Sequence, residues 1–261
     1  MVKKIDAFIF YNEIDLLVYR LHYLNPIIDF FIIVESNHTF MGILKELYFN
    51  NIKHHPIFTP FLHKIIHIVL PTLPYLHPNI TLGEQWFNEY YQRNQIHQGI
   101  LQLSLNDDDY IIISDIDEIP DKDRIDELDI EKCELEQDFY YYNLRTKYSE
   151  KWKRSKVLKY KIYKTYKNVQ EIRNENMDLI IKKGGWHLSY FGNTSYIQNK
   201  ILHFSHQELN HPRFRDEKWI EERVKNQEDL FGTAFQPFLK ININENDYLP
   251  PQKEIFLTKY L

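Results

Sequence analysis

Two carboxylates, Asp115 and Asp117, stand one residue apart at the end of an apolar run in the stretch DDDYIIISDIDEIP (107–120). Side chains two apart in an extended segment share a face, so both would point the same way while Ile116 turns back toward the core. Hard oxygen ligands in this arrangement suit Mg²⁺ or Mn²⁺, which bind through one or two carboxylates and take the rest of their shell from water and phosphate oxygens. The cation would offset the repulsion between the two charges. Two other apolar runs also end in polar clusters, YNEID (11–15) and VES (34–36). In an open parallel sheet, ligands bind outside the carboxyl ends of the strands, where the crossover direction reverses. Three such ends predict one polar crevice.

The elements that would build this crevice follow from periodicity. DAFIF (6–10) and IDFFIIVES (28–36) have the composition and length of buried strands, and between them Ile14, Leu17, Val18, Leu21 and Leu24 recur with a helical period over Glu13 to Leu24. KIIHIVL (64–70) reads as a third strand, Gly83 to Leu105 as a long amphipathic helix, and YIIIS (110–114) as a fourth strand. Apolar strands alternating with helices predict an α/β fold with a mostly parallel central sheet covered on both faces. Pro71, Pro74 and Pro78 mark an ordered surface loop before the long helix. Beyond Pro120, DFYYYNLRTKY (138–148) and KVLKYKIYKTY (156–166) alternate as half-exposed strands, expected to be antiparallel, with KWKRSK as a solvated turn between them; TSYIQNKILHF and DEKWIEERVKNQEDLF read as helices. No repeat or linker interrupts the pattern, so one domain over residues 1–261 is expected.

Composition narrows the classes of function. With 43% hydrophobic and 15% aromatic residues, the 261-residue chain can bury a substantial core. A net charge of −5 provides no general field for nucleic acid, so an acidic ligand must be held locally. Cys133 is the single cysteine and cannot form an intramolecular disulfide, as expected of a reducing compartment. MVKKIDAFIF is too short for a signal-peptide core and far below the roughly 20 apolar residues of a membrane span, so a cytoplasmic protein without a span is expected. The sequons at Asn37, Asn79 and Asn193 are read as chance in an Asn-rich sequence.

Arg93 and Asn94 before the helix that leads to SDIDE resemble the Arg-Asn, helix, strand, Asp-x-Asp signature of GT-A glycosyltransferases that use nucleotide sugars. The resemblance narrows over the whole chain. FIFYNEIDLLVYRLHYLNPIIDFFIIVESNHTFMGILK, YYQRNQI, IIISDIDEIP, GGWHLSYFG and KILHFSHQE occur in the order found in glycosyltransferase family 17, the β-1,4-mannosyl-glycoprotein β-1,4-N-acetylglucosaminyltransferases, across residues 4–232. It implies a GT-A-like Rossmann-type sandwich, with residues 1–120 as the nucleotide-binding half and 121–261, carrying a smaller antiparallel sheet, as the acceptor side. It also implies an inverting transfer of GlcNAc, with UDP-galactose and UDP-glucose as alternative donors, to a glycan hydroxyl. Mn²⁺ or Mg²⁺ would be held by Asp115 and Asp117, with His206 completing the shell. Asn12, Glu13 and Glu35 would hold the base and ribose, and Arg93, Asn94 and Asp115 would serve the donor. Gly184 and Gly185 would allow close backbone approach, and Trp186 would offer a flat face for a sugar ring. His187 falls in the slot of the catalytic base, with Glu208 as the alternative. A fold retained only to bind carbohydrate and a metal-dependent phosphohydrolase are the rival classes.

Overall fold

The computed structural model describes residues 2–126, 128–232 and 237–261. The strands are, in chain order, β1 (Lys4–Phe10), β2 (Phe30–Ser36), β3 (Ile65–Leu70), β4 (Tyr110–Ile113), β5 (Glu118–Pro120), β6 (Lys132–Leu135), β7 (Asp138–Tyr141), β8 (Thr146–Tyr148), β9 (Lys156–Lys159), β10 (Ile180–Ile181), β11 (Gly185–Ser189) and β12 (Phe238–Lys240). They form two mixed sheets, ordered β10-β6-β9-β4-β1-β2-β3 and β12-β8-β7-β11-β5. In the larger sheet β1 to β4 are parallel and β9 runs against β4 and β6. This is the α/β sheet that the apolar runs predict.

The alternation of side chains accounts for its two-faced burial. Phe8 and Phe10 of β1, Phe31 and Ile33 of β2 and Ile112 of β4 enter one core layer, whereas Ile5, Ala7, Ile32, Val34, Ile111 and Ile113 enter the other. The helix Ile14–Leu24 covers the first layer with Leu17, Leu21 and Leu24. From β1 the chain proceeds outward to β2 and β3, while β4 returns on the opposite side of β1. The switch point therefore lies between β1 and β4. A third, smaller core joins Tyr142, Tyr190, Ile197, Ile201 and Ile220 beneath the helices Thr194–His203 and Glu217–Asn226.

Three expectations are corrected. The smaller sheet, expected to be antiparallel, is mixed, because β11 lies parallel to β7. The helix expected over residues 83–105 is two, Glu84–Asn94 and Ile96–Ile100, because the chain tightens at Gln95 and Gly99 then seats the second piece on β2; a Cβ at Gly99 would lie 2.5 Å from Ile32 Cγ2. KVLKYKIYKTY does not pair with residues 138–148. Its first part is β9, an interior strand of the larger sheet between β6 and β4, and Tyr160–Tyr163 is helical. Lys156 misleads the alternation, since it is fully buried against Glu134 (Nζ to Oε2 2.6 Å) and marks no exposed face. Burial pushes the Cys133 thiol on neighbouring β6 up to about 12, the behaviour of an inert core cysteine.

GGWH also serves the fold. Gly185 has φ +134°, and a Cβ there would stand 2.1 Å from Ile119 O, so only glycine lets β11 lie against β5. Gly185→Ala should therefore destabilise the protein by about 3 kcal/mol or more, combining backbone strain with a clash against main chain. Urea unfolding of the variant measures this.

Candidate active site

One buried guanidinium shapes the loop between β4 and β5. Arg20, on the helix Ile14–Leu24, donates through Nε and Nη2 to the two carboxylate oxygens of Asp6 on β1, at 2.8 and 2.6 Å. Nη2 also reaches Ser114 Oγ at 2.5 Å, and Nη1 donates to the carbonyls of Asp115 (2.7 Å), Ile116 (3.3 Å) and Glu118 (3.1 Å). Its planar fork suits this multiple capture. The loop is a turn closed by Glu118 N–H donating to Asp115 O at 3.0 Å, not the extended segment expected, yet both aspartates still line one cavity while Ile116 is mostly buried.

Each aspartate is balanced by two basic groups. Asp115 accepts from Arg93 at 3.0 Å and from Arg173 at 2.8 Å. Burial by itself would raise its carboxyl, and Asp117 adds to that, but the guanidinium groups of Arg173 and Arg93 prevail and hold it below the usual carboxylate range. Asp117 accepts from Lys200 Nζ at 2.9 Å and faces His187 Nε2 at 3.5 Å. Burial again opposes ionisation there, but the Lys200 ammonium and then His187 hold the carboxyl far below its ordinary value. Glu118, fully buried, accepts from Trp152 Nε1 at 2.5 Å, Ser155 Oγ at 2.9 Å and both terminal nitrogens of Arg173, with Nη1 at 2.6 Å. Arg93 also pairs with Glu89 one turn back, at 2.6 Å, so the intrahelical ion pair and the site contact coexist.

These groups line a cavity of about 690 Å³ at the switch point. Glu13 lies in its wall. The carboxylate accepts the Tyr11 and Asn12 N–H groups at 3.1 and 3.0 Å, and burial raises its pKa against the opposing pull of Lys200. Lys45, over the Tyr11 ring, joins the same wall, and burial brings its ammonium down to about 8. His187 enters from β11, where alternation sends Trp186 and His187 to opposite faces. Its ring stacks on Phe139, and its Nδ1 is buried without a hydrogen-bond partner.

Several expected site residues do other work. Glu35 is fully buried outside the cavity wall, its oxygens accepting from the N–H groups of Phe49 (3.0 Å) and Asn50 (3.2 Å) and facing His67 Nε2 at 3.1 Å. It thereby satisfies the first turn of the helix Tyr48–Ile52. Asn94 accepts from Gln170 N–H at 2.9 Å and so anchors the helix Val169–Asn174 that carries Arg173. The Asn12 side chain turns to Asn199, at 3.4 Å. Gly184 and Gly185 approach protein backbone, and Trp186 stacks on Tyr248 within the core, so this trio stands away from the cavity. His206 sits at the rim against Trp86 and pairs with exposed Glu208 at 2.6 Å. Among the described residues no group of three or more His, Cys, Asp or Glu is placed to hold a metal ion. Arg20, Lys45, Arg173 and Lys200 went unnoticed in the sequence. Arg173 and Lys200 lie on amphipathic segments as ordinary basic residues, and only the fold turns them toward Asp115 and Asp117.

The sequence matches the family model described as Glycosyltransferase family 17 over residues 2–239. Part of it is similar to the β-1,4-mannosyl-glycoprotein 4-β-N-acetylglucosaminyltransferases of Rattus norvegicus (34% identity over 127 residues, 47% of this chain and 22% of that protein), Homo sapiens (34% over 127 residues, 47% and 23%) and Mus musculus (33% over 127 residues, 47% and 22%). The aligned part thus spans under a quarter of each relative. No helix among the described residues is long and apolar enough to cross a membrane.

Replacing Arg20 by Met should cost about 3–5 kcal/mol, because Asp6 is left buried without its counter-charge. Chemical denaturation reads the loss. The folded pKa values of Asp115 and Asp117 lie below the unfolded value of about 3.9, so their stabilisation is complete above about pH 4 and is lost as pH falls through the folded values. Lys200→Met should raise the Asp117 pKa and shift acid unfolding to higher pH, which urea midpoints across the acid range measure.

Proposed function

Because the chain belongs to glycosyltransferase family 17, we propose that it transfers GlcNAc from UDP-GlcNAc to a hydroxyl of a mannosyl glycan, with inversion, on a GT-A-type scaffold. One observation carries this reading: the loop at the switch point presents Asp115 and Asp117 to a cavity of about 690 Å³ that also contains Arg93, Arg173 and Lys200. That volume suits a nucleotide sugar, and the three cations suit a diphosphate.

The donor set is compatible with Mg²⁺ or Mn²⁺. Asp115 and Asp117 supply the one or two carboxylates such ions use when a diphosphate completes the shell, while His206, paired with Glu208 at the rim, is not needed. The bound ion would supply Lewis-acid neutralisation of the leaving diphosphate. The chain's own groups do the rest. Lys200 and the two arginines hold phosphate charge as the C1–O bond to the diphosphate breaks. His187 supports the role of base better than Glu208 does. It lies in the cavity wall with Asp117 beside Nε2, placed to stabilise the imidazolium that forms as the acceptor loses its proton. Glu208 is exposed and engaged by His206.

With UDP-GlcNAc, Mn²⁺ and a β-mannoside acceptor, Asp117→Asn should lower turnover by about a hundredfold or more. Unchanged turnover would sink the assignment, and faster use of UDP-galactose or UDP-glucose by the wild type would change the donor. Four basic groups already occupy the two aspartates, so Mn²⁺ should bind weakly to the protein alone and much more tightly with UDP. Lys200→Met should strengthen binding to the protein alone. Electron paramagnetic resonance titration of free Mn²⁺ distinguishes these outcomes.

A further inference from the structure

The cavity has a second wall of different chemistry. The smaller sheet lines it with aromatic rings: Phe139 and Trp152 lie with centroids 5.2 Å apart, Tyr141 meets Phe238 at 4.8 Å, and Tyr148 meets the same Phe238 at 5.3 Å. Tyr141, Tyr148, Trp152 and Phe238 are only half-buried, unlike core aromatics such as Phe8 and Tyr140, so their rings contribute surface to the cavity. The nearby lysines are drawn off this surface, since Lys147 and Lys151 both pair with Asp138. Asp229 lines the cavity close to Tyr141 and Tyr190.

We infer that this aromatic wall is the acceptor subsite and that it takes a neutral pyranose by its C–H face. The inference deepens the transferase reading and rests on it for the word acceptor. Ring faces carry negative quadrupole charge and attract the weakly positive C–H groups on one side of a sugar, whereas an anionic acceptor would be repelled. The wall is fastened to the donor side through Trp152: its Nε1 donates to Glu118 Oε1, and Glu118 in turn binds Arg173, which holds Asp115. His187 stands at the seam, its ring against both Phe139 and Trp152 and its Nε2 toward Asp117. A sugar stacked on the wall would bring a hydroxyl to the junction of the two halves.

Phe238→Ala and Tyr148→Ala test this in the full chain, at strands β12 and β8, away from the charged loop. The probes are methyl β-D-mannopyranoside and methyl β-D-glucopyranoside, followed by saturation-transfer NMR, with UDP-GlcNAc and Mn²⁺ titrated in parallel by calorimetry. Expected are saturation concentrated on the C–H protons of one pyranose face and a roughly five- to tenfold loss of sugar affinity in each variant, the size for removing one stacking ring, with donor binding retained. Unchanged sugar affinity in both variants, or no pyranoside contact in the wild type, overturns the inference. Wild-type protein that stacks the pyranoside but does not bind UDP-GlcNAc sinks the transferase reading and leaves the sugar-binding wall standing.

Discussion

The structure depends on the placement of a single side chain, the Arg20 guanidinium. It is buried from solvent and takes both oxygens of Asp6, a hydroxyl and three carbonyls of the loop. A lone buried guanidinium would be very costly, and it is tolerated here because its N–H groups find acceptors and Asp6 supplies the opposite charge. The result is a loop whose backbone is fixed from beneath, so that its side chains are free to face the cavity. Remove the cation and the carbonyls of Asp115, Ile116 and Glu118 lose their common donor.

Above that loop the charges are arranged as alternating partners. Asp115, Asp117 and Glu118 confront Arg93, Arg173 and Lys200 within a few ångströms. In a cavity shielded from water such a set is stable only near neutrality, so a charged ligand must bring charge of both signs or displace one partner of a pair. On the other side of the cavity stands the aromatic wall, so one cavity has an ionic face and a largely aromatic one.

Much of this was legible in the sequence where local pattern and tertiary role coincide. The strand runs and the pair Asp115 and Asp117 are of this kind, because a buried parallel strand must be apolar and ligands gather beyond its carboxyl end; Arg93 was singled out through the resemblance to GT-A enzymes. Other parts were not. Glu35 looks like a ligand at a strand end, but its carboxylate caps a short helix that periodicity does not reveal. The glycines of GGWH serve a backbone contact with β5, and only His187 of that motif reaches the cavity. Lys156 reads as surface until Glu134, from a strand distant in sequence, is seen beside it. In each case the deciding partner lies far along the chain, and no local rule names it.

The loop between β4 and β5 joins the two sheets directly, since β4 belongs to the larger and β5 to the smaller. Its amides are tied at both ends, Asp115 N–H to Glu118 Oε2 at 3.0 Å and Glu118 N–H to Asp115 O at 3.0 Å. Local opening there would break these bonds and take three carbonyls from a buried arginine, which places the loop among the segments expected to open least. The charges of the cavity thus stand on a floor whose backbone is held from both sheets and from the buried arginine beneath it.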